Sequence, residues 1–296
     1  MLARTIEGKT LVGVEALSGK LKRKGITGIE LFYAFLPSKV NEVRVKGKSL
    51  LIMLESGACI HSTLGMAGWW YPVMSSQELL GKAYANGLMR DIKEVIEQAY
   101  KHSRVGLFTA EDGPSAVFCD MRNFGNMTLY TPDQLKISNP LDKLGIDLLN
   151  EAPYFQEWIS MWEFKRIKAT KGQLNKKIGE LLLDQEFACG LGNIYRAEVL
   201  YSACINPLRR LGELTQDEWA RIGSSAPFIL GMAYTTQGSM NYPGWFLQGY
   251  LGFHVADDYT YKKHLVYGRK TDPIGREITT EIVGGRTMWY CPEIQL

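Results

Sequence analysis

The sequence predicts an α+β protein, with an N-terminal β-sandwich, a helical domain after it and a small β element at the end. Three observations predict this. Between Leu11 and Tyr130, short apolar runs alternate with period two and are separated by turn residues. From about Pro153 to Gln237 the apolar spacing becomes that of a helix. From Tyr261 to Cys291 the alternation returns. A chain of 296 residues fits one large or two medium domains, each long enough to bury a core.

Met1 to Glu7 reads as the end of a helix closed by Gly8. Leu11 to Leu17 alternates as a strand. Asn41 to Leu54 reads as a hairpin turning near Lys46-Gly47-Lys48. Strands follow at Ala58 to Leu64, Leu107 to Thr109, Ala116 to Cys119 and Met127 to Tyr130. Glu111-Asp112-Gly113-Pro114 reads as a turn, and a helix is expected around Gln77 to Leu80. Pro132 to Pro140 is polar and turn-rich, and reads as a hinge. The expected domains are therefore 1–135, 136–257 and 258–296.

Within the helical part, Gln216 to Thr235 is expected as a helix. Lys176 to Pro207 reads as two helical patterns around a glycine turn. Ile178, Leu181, Leu182 and Gln185 share one face; Ile194, Ala197, Leu200, Tyr201 and Cys204 share the other. Gly190 and Gly192 permit positive φ, and Asn193 is placed to cap the second helix. A capped helix start offers free N–H groups and a positive dipole end, which suits a phosphate. Spacing alone fits equally well a helical hairpin whose glycines only allow close packing.

Composition narrows the function classes. A hydrophobic content of 46% belongs to a globular chain rather than a disordered one. No apolar run reaches membrane-spanning length, and no signal peptide is evident. The net charge of +3 permits a nucleic-acid partner without requiring one. The five cysteines are scattered and form no CxxC pair. They read as reduced thiols of an intracellular protein, cytoplasmic or nuclear, with no zinc site and no cofactor.

The run Gly190 to Pro207, GLGNIYRAEVLYSACINP, resembles the helix–two-turn–helix of the Fpg/Nei family of DNA glycosylases. The family pattern there is G-[IV]-G-N-I-Y-x-x-E-x-L-x-x-A-x-I-x-P. Three further stretches resemble the family in the same order. Lys48 in VKGKSLLI matches [RK]-[GA]-K-x-L. His61 to Gly68 matches H-L-G-M-[ST]-G with Ser62-Thr63 inserted. Asp120 to Gly125 matches D-x-R-x-F-G. The resemblance implies roles. Lys48 would contact phosphate and assist proton transfer during β-elimination. Met66 would fill the gap left by the extruded base. Arg122 would pair with the orphaned base, with Phe124 wedged beside it. His102 would contact DNA, and Asn193 would grip phosphate beside the lesion.

Val266-Tyr267-Gly268-Arg269 and Gly285-Arg286-Thr287 resemble the family's zinc-finger hairpin. The first cysteine pair of that finger is replaced near Ile274 to Glu277, and of the second only Cys291 remains. One thiolate cannot make a tetrahedral zinc site. A zincless finger is implied, packed through Val266, Tyr267, Ile278, Ile282 and Trp289. Arg286 would sit at its tip, grip phosphates and aid δ-elimination.

Family chemistry uses the amine of an N-terminal proline as nucleophile and the following glutamate for proton transfer. Neither has a counterpart in this register, where Gly8-Lys9-Thr10-Leu11 matches a later family segment. The natural protein is expected to begin Pro-Glu upstream. The alternative is a relative that binds damaged DNA without cutting it.

The implied function is a base-excision glycosylase with abasic-site lyase activity, acting as a monomer on damaged duplex or single-stranded DNA, away from any membrane. A non-catalytic damaged-DNA binder is the second reading. An RNA-binding or ribosome-associated helix–two-turn–helix protein is the third, and it leaves Arg122 and Phe124 unexplained.

Overall fold

The computed structural model describes residues 2–65, 68–73, 101–110, 114–151, 155–236, 242–243, 260–261 and 263–296. The helix expected around Gln77 to Leu80 and the turn residues 111–113 lie outside the described residues. The chain divides into two compact units, Met1–Lys143 and Leu144–Leu296.

The first unit opens with helix α1 (Leu2–Ile6), whose Leu2 and Ile6 enter the core. Gly8, at φ +82°, closes it. Strand β1 (Thr10–Ala16) leads into the short helices α2 (Gly19–Lys24) and α3 (Ile29–Phe32). The strands β2 (Ser38–Lys46) and β3 (Ser49–Leu54) form the expected hairpin around Gly47, which takes φ +55°. Then come β4 (Cys59–Thr63), β5 (Gly68–Pro72), β6 (Ser103–Thr109), β7 (Pro114–Asp120) and β8 (Asn126–Tyr130).

Among the described strands the order is β5-β7-β6-β1-β2-β3-β4-β8. Its two halves meet through just two residue pairs, Thr10 with Lys39 and Leu11 with Ser38. So weak a joint lets the sheet fold over itself. Val14, Trp70, Leu107 and Phe118 from one half share a core with Ile52, Ile60, Met127 and Leu129 from the other. That is the sandwich the alternation predicts.

Pro132 to Pro140 differs from the expected hinge. It contains a helix, α4 (Pro132–Ile137), started by a capping box in which Thr131 and Gln134 bond each other's backbone N–H. Its polar residues are a helix-start signal, and Pro132 sits where its missing N–H costs nothing.

The second unit contains β9 (Ile146–Asp147), α5 (Phe155–Ile167), α6 (Lys171–Asn175), α7 (Ile178–Leu181), β10 (Ala188–Cys189), α8 (Asn193–Ser202) and α9 (Gln216–Thr235). β11 (Tyr242–Pro243) pairs with β12 (Thr260–Tyr261), and β13 (Thr279–Val283) with β14 (Arg286–Tyr290). The first of the two expected helical patterns is a single turn. Its Gln185, placed by spacing on the helix face, instead closes the following loop. Its amide nitrogen donates to the carbonyls of Leu183 and Leu191, and its oxygen accepts from Gly190.

The core of this unit is aromatic. Trp162 stacks on Trp219 with ring centroids 4.0 Å apart and planes 6° from parallel. Each indole N–H donates to the other's backbone carbonyl. Buried Trp thereby satisfies its one polar atom. Helix α8 departs from the one-sided pattern of its sequence: every residue from Arg196 to Ser202 is buried.

Candidate nucleic-acid interface

In the first unit, strand register brings three loops to one end of the sheet. Ser49 pairs with Thr63, and Thr63 with Asn126. The residues just beyond them are Lys48, the Leu64–Gly65 corner and the turn 121–125. Leu64 N–H donates to the Lys48 carbonyl at 3.4 Å. A Cβ on Gly65 would lie 2.8 Å from the Gly125 nitrogen, so these backbones touch, and Gly65 also needs φ +60°. Lys48 itself is half-buried. Met66 lies outside the described residues.

The turn after β7 is held from beneath by Asp120, which is 1% exposed. One carboxylate oxygen accepts from Arg122 N at 3.0 Å and the other from Gly125 N at 2.6 Å. Asn123 takes the left-handed φ of +55°, and its side-chain oxygen accepts from Lys20 N at 3.3 Å. With the backbone so committed, the Arg122 and Phe124 side chains are left outside. Arg122 is exposed, and Phe124 is 58% exposed. A cation and a ring held out on a preformed turn can enter a stack and offset part of the cost of removing a base from it.

Two histidines lie in the same unit. His61 sits within β4, paired with Leu51 and Thr128, and its Nε2 lies 3.3 Å from Ser49 Oγ. Burial lowers its pKa below the ordinary 6.5. His102 immediately precedes β6, with Nδ1 3.4 Å from Arg104 Nη2.

In the second unit, Asn193 does not cap helix α8. Gly192 holds that position in extended conformation, without a side-chain cap, and Asn193 is the first helical residue. Its amide is used otherwise. Asn193 Nδ2 donates to the Thr287 carbonyl at 3.0 Å, and its Oδ1 accepts from Arg196 Nη2 at 2.6 Å. An amide carries two N–H groups, so one remains for a phosphate.

Arg196 is wholly buried. It donates to the carbonyls of Gly179 at 2.5 Å, Val283 at 3.1 Å and Arg286 at 3.4 Å. Its Nε has no partner. Burial, and then the nearby charge of Arg286, lower its pKa to about 10. The guanidinium thus ties Asn193 to both ends of the glycine turn between β13 and β14. Arg286 is the first residue of β14, exposed at that tip. The sequence-derived candidates therefore fall into two groups. Lys48, His102, Arg122 and Phe124 belong to the first unit, and Asn193 and Arg286 to the second.

The finger is built without thiolate ligands among its described residues. Val266, Ile278, Val283, Met288 and Cys291 are buried, and Tyr267 packs on Trp289 with rings 4.4 Å apart. Ile282, expected in this packing, is instead 67% exposed. It pairs with Thr287 on the outward face of a two-stranded ribbon, and its buried neighbour Val283 takes the inward place. Where the first cysteine pair is missing, the Asp272 carboxylate closes the loop. It accepts from the N–H groups of Ile274 and Arg276, from Arg276 Nε at 2.6 Å and from Tyr201 OH at 2.9 Å. Burial raises the Cys291 thiol above its ordinary pKa, which disfavours the thiolate a metal needs.

Among the described residues five buried charges escaped sequence reasoning: Arg104, Asp147, Arg196, Glu198 and Asp272. Glu198 accepts from the backbone N–H groups of Leu265, Val266 and Tyr267 and from Tyr242 OH, all within 3.0 Å. It fixes the segment that enters the finger; burial, and then the charge of Glu198, raise the Tyr242 pKa well above 10. The available signal was Arg196 and Glu198 lying inside an otherwise apolar helix.

The comparisons with known proteins agree over the whole chain. The N-terminal domain of formamidopyrimidine-DNA glycosylase matches residues 1–127, and that family's H2TH domain matches residues 155–242. A formamidopyrimidine-DNA glycosylase from Bacillus cereus is 30% identical across 99% of this chain and 94% of its own length. One from Exiguobacterium is 27% identical with the same coverage. Among solved structures, Lactococcus lactis Fpg bound to abasic-site DNA covers 99% of this chain and 95% of its own, with 23% identity and a TM-score of 0.68. The same enzyme bound to FAPY-dG DNA has 24% identity and a TM-score of 0.67. With both domain models in family order and a relative of this identity matched along nearly its full length, the chain belongs to the Fpg/Nei family of DNA glycosylases.

Proposed function

We propose that this protein is a base-excision repair DNA glycosylase with abasic-site lyase activity, acting on oxidised bases in DNA. The observation that carries the reading is the turn 121–125. Its backbone is bonded at Arg122 and Gly125 and the Asn123 side chain is bonded by Lys20 N, while Arg122 and Phe124 are left exposed. A surface turn with no partner gains nothing from holding a large ring in water.

In this reading Arg122 faces the base left behind, and Phe124 fills the opened step. Met66 occupies the vacated space, and His102 contacts the backbone. Lys48 binds phosphate and moves a proton during β-elimination. Asn193 and Arg286 grip the phosphates around the flipped nucleotide, and Arg286 aids δ-elimination. The finger belongs to the zincless branch, which its Asp272-centred loop and buried Cys291 support. The five cysteines form no disulfide, which suits a reducing compartment. Among the described residues no helix is long and apolar enough to cross a membrane.

The test is borohydride trapping of the chain carrying an upstream Pro-Glu start, on duplexes with an oxidised base or an abasic site. A covalent adduct is expected. Its absence with both substrates rejects the enzyme reading, and tight lesion-dependent binding without an adduct identifies a non-catalytic binder.

A further inference from the structure

Arg104 has no place in the family roles above, yet it sits beneath the turn that carries Arg122 and Phe124. Pairing between β6 and β7 shifts register between Ser103 and Val105, which leaves Arg104 as the extra residue of a β-bulge. A bulge re-aims a side chain that regular alternation would send elsewhere. Arg104 is 8% exposed. Its Nε donates to the Asp120 carbonyl at 2.8 Å and its Nη1 to Ser18 Oγ at 2.7 Å, while Nη2 lies 3.4 Å from His102 Nδ1. Its own carbonyl accepts from Leu17 N at 2.8 Å. Among the described residues no carboxylate pairs with it.

A buried cation without an acid is costly, so each of its hydrogen bonds carries weight. The surroundings are built to admit it. A Cβ on Gly19 would lie 2.8 Å from Arg104 Cδ and 2.3 Å from Asn123 Oδ1, and Gly19 takes φ +70°. Only glycine fits there. The same short segment bonds the turn directly through Lys20 N and Asn123. A guanidinium can only donate, so where this contact is a hydrogen bond His102 Nδ1 accepts and the N–H of the ring is on Nε2.

We propose that Arg104 is a positioning residue that clamps the Asp120–Gly125 turn to the segment before α2, so that Arg122 and Phe124 are presented to DNA already ordered. The same bond sets His102 to offer Nε2–H to a phosphate oxygen. The inference rests on the function proposed above for Arg122, and its test separates the two.

The variants are Arg104→Met, Arg104→Lys and the milder Ser18→Ala, measured at a temperature where each is folded. In the free protein, Arg104→Met is expected to raise hydrogen exchange at the Arg122 and Gly125 amides by about tenfold, with a smaller rise for Ser18→Ala. Unchanged protection at both amides in Arg104→Met overturns the proposal; should that variant not fold, Ser18→Ala decides in the same way. With DNA, preference for a tetrahydrofuran abasic duplex over an undamaged one is expected to fall about tenfold in Arg104→Met, as in Arg122→Ala. The double variant is expected to lose no more than Arg122→Ala alone. Independent, multiplying losses would show that Arg104 only supports the fold. A wild-type protein with no lesion preference overturns the proposed function, while the exchange result still decides the role of Arg104.

Discussion

At the residue scale, the chain uses buried charge to fix its loops. Glu198 is the clearest case, since four donors converge on one carboxylate. Glu198→Gln places an amide N–H among donors, and we expect a loss of about 3 kcal/mol in denaturant unfolding. His61 gives the pH dependence. Its folded pKa lies below the ordinary 6.5 because of burial, so the unfolded state takes the proton first. Stability carried by neutral His61 is present above the unfolded pKa and is lost as pH falls below it. Unfolding curves of the wild type against His61→Gln should diverge across that window; parallel curves from pH 7 to 5 would refute the assignment. How legible such residues were depended on their company. Arg122 and Phe124 stood out because the stretch Asp120 to Gly125 resembles a family motif and lies between two readable strands. Arg104 did not, because a bulge cannot be read from alternation and its role exists only through Asp120 and Ser18, far away in sequence.

At the element scale, hairpins and long helices were readable and short connections were not. The β2–β3 hairpin turned where Lys46-Gly47-Lys48 indicated, and helix α9 ran over the expected Gln216–Thr235. Helix α7 stopped after one turn because Gln185 closes a loop rather than extending a face. Local spacing makes Asn193 look like a cap, because it cannot show that Arg196 and Thr287 use the two ends of its amide. Gly223 shows how packing reverses propensity. Alanine normally stabilises a helix interior relative to glycine. Here a Cβ would sit 2.4 Å from Trp162, inside the stacked pair with Trp219. Gly223→Ala is therefore expected to destabilise by about 2 kcal/mol, readable as a lower denaturant midpoint with unchanged slope.

At the scale of the whole molecule, the fold class was legible because each unit carries its own periodicity, and the family because motifs from both units occur in order. The two units should contribute differently to DNA affinity. Arg286 is read as a phosphate ligand, so Arg286→Ala should lower the slope of log affinity against log salt by about 0.9. Arg122 is read as facing a base, so Arg122→Ala should reduce lesion preference while leaving that slope unchanged. The same loss of slope in both variants would show that the roles are wrongly divided.

The Asp272 loop carries one more consequence. Asp272 is bonded by Arg276 and Tyr201, both part of the same chain. On the zincless reading proposed above, this finger is finished once the polypeptide has folded and needs no dissolved ion. Prolonged dialysis against a strong chelator should leave abasic-site affinity and the unfolding midpoint where they were. On that reading, repair by such a protein would continue in a cell starved of zinc.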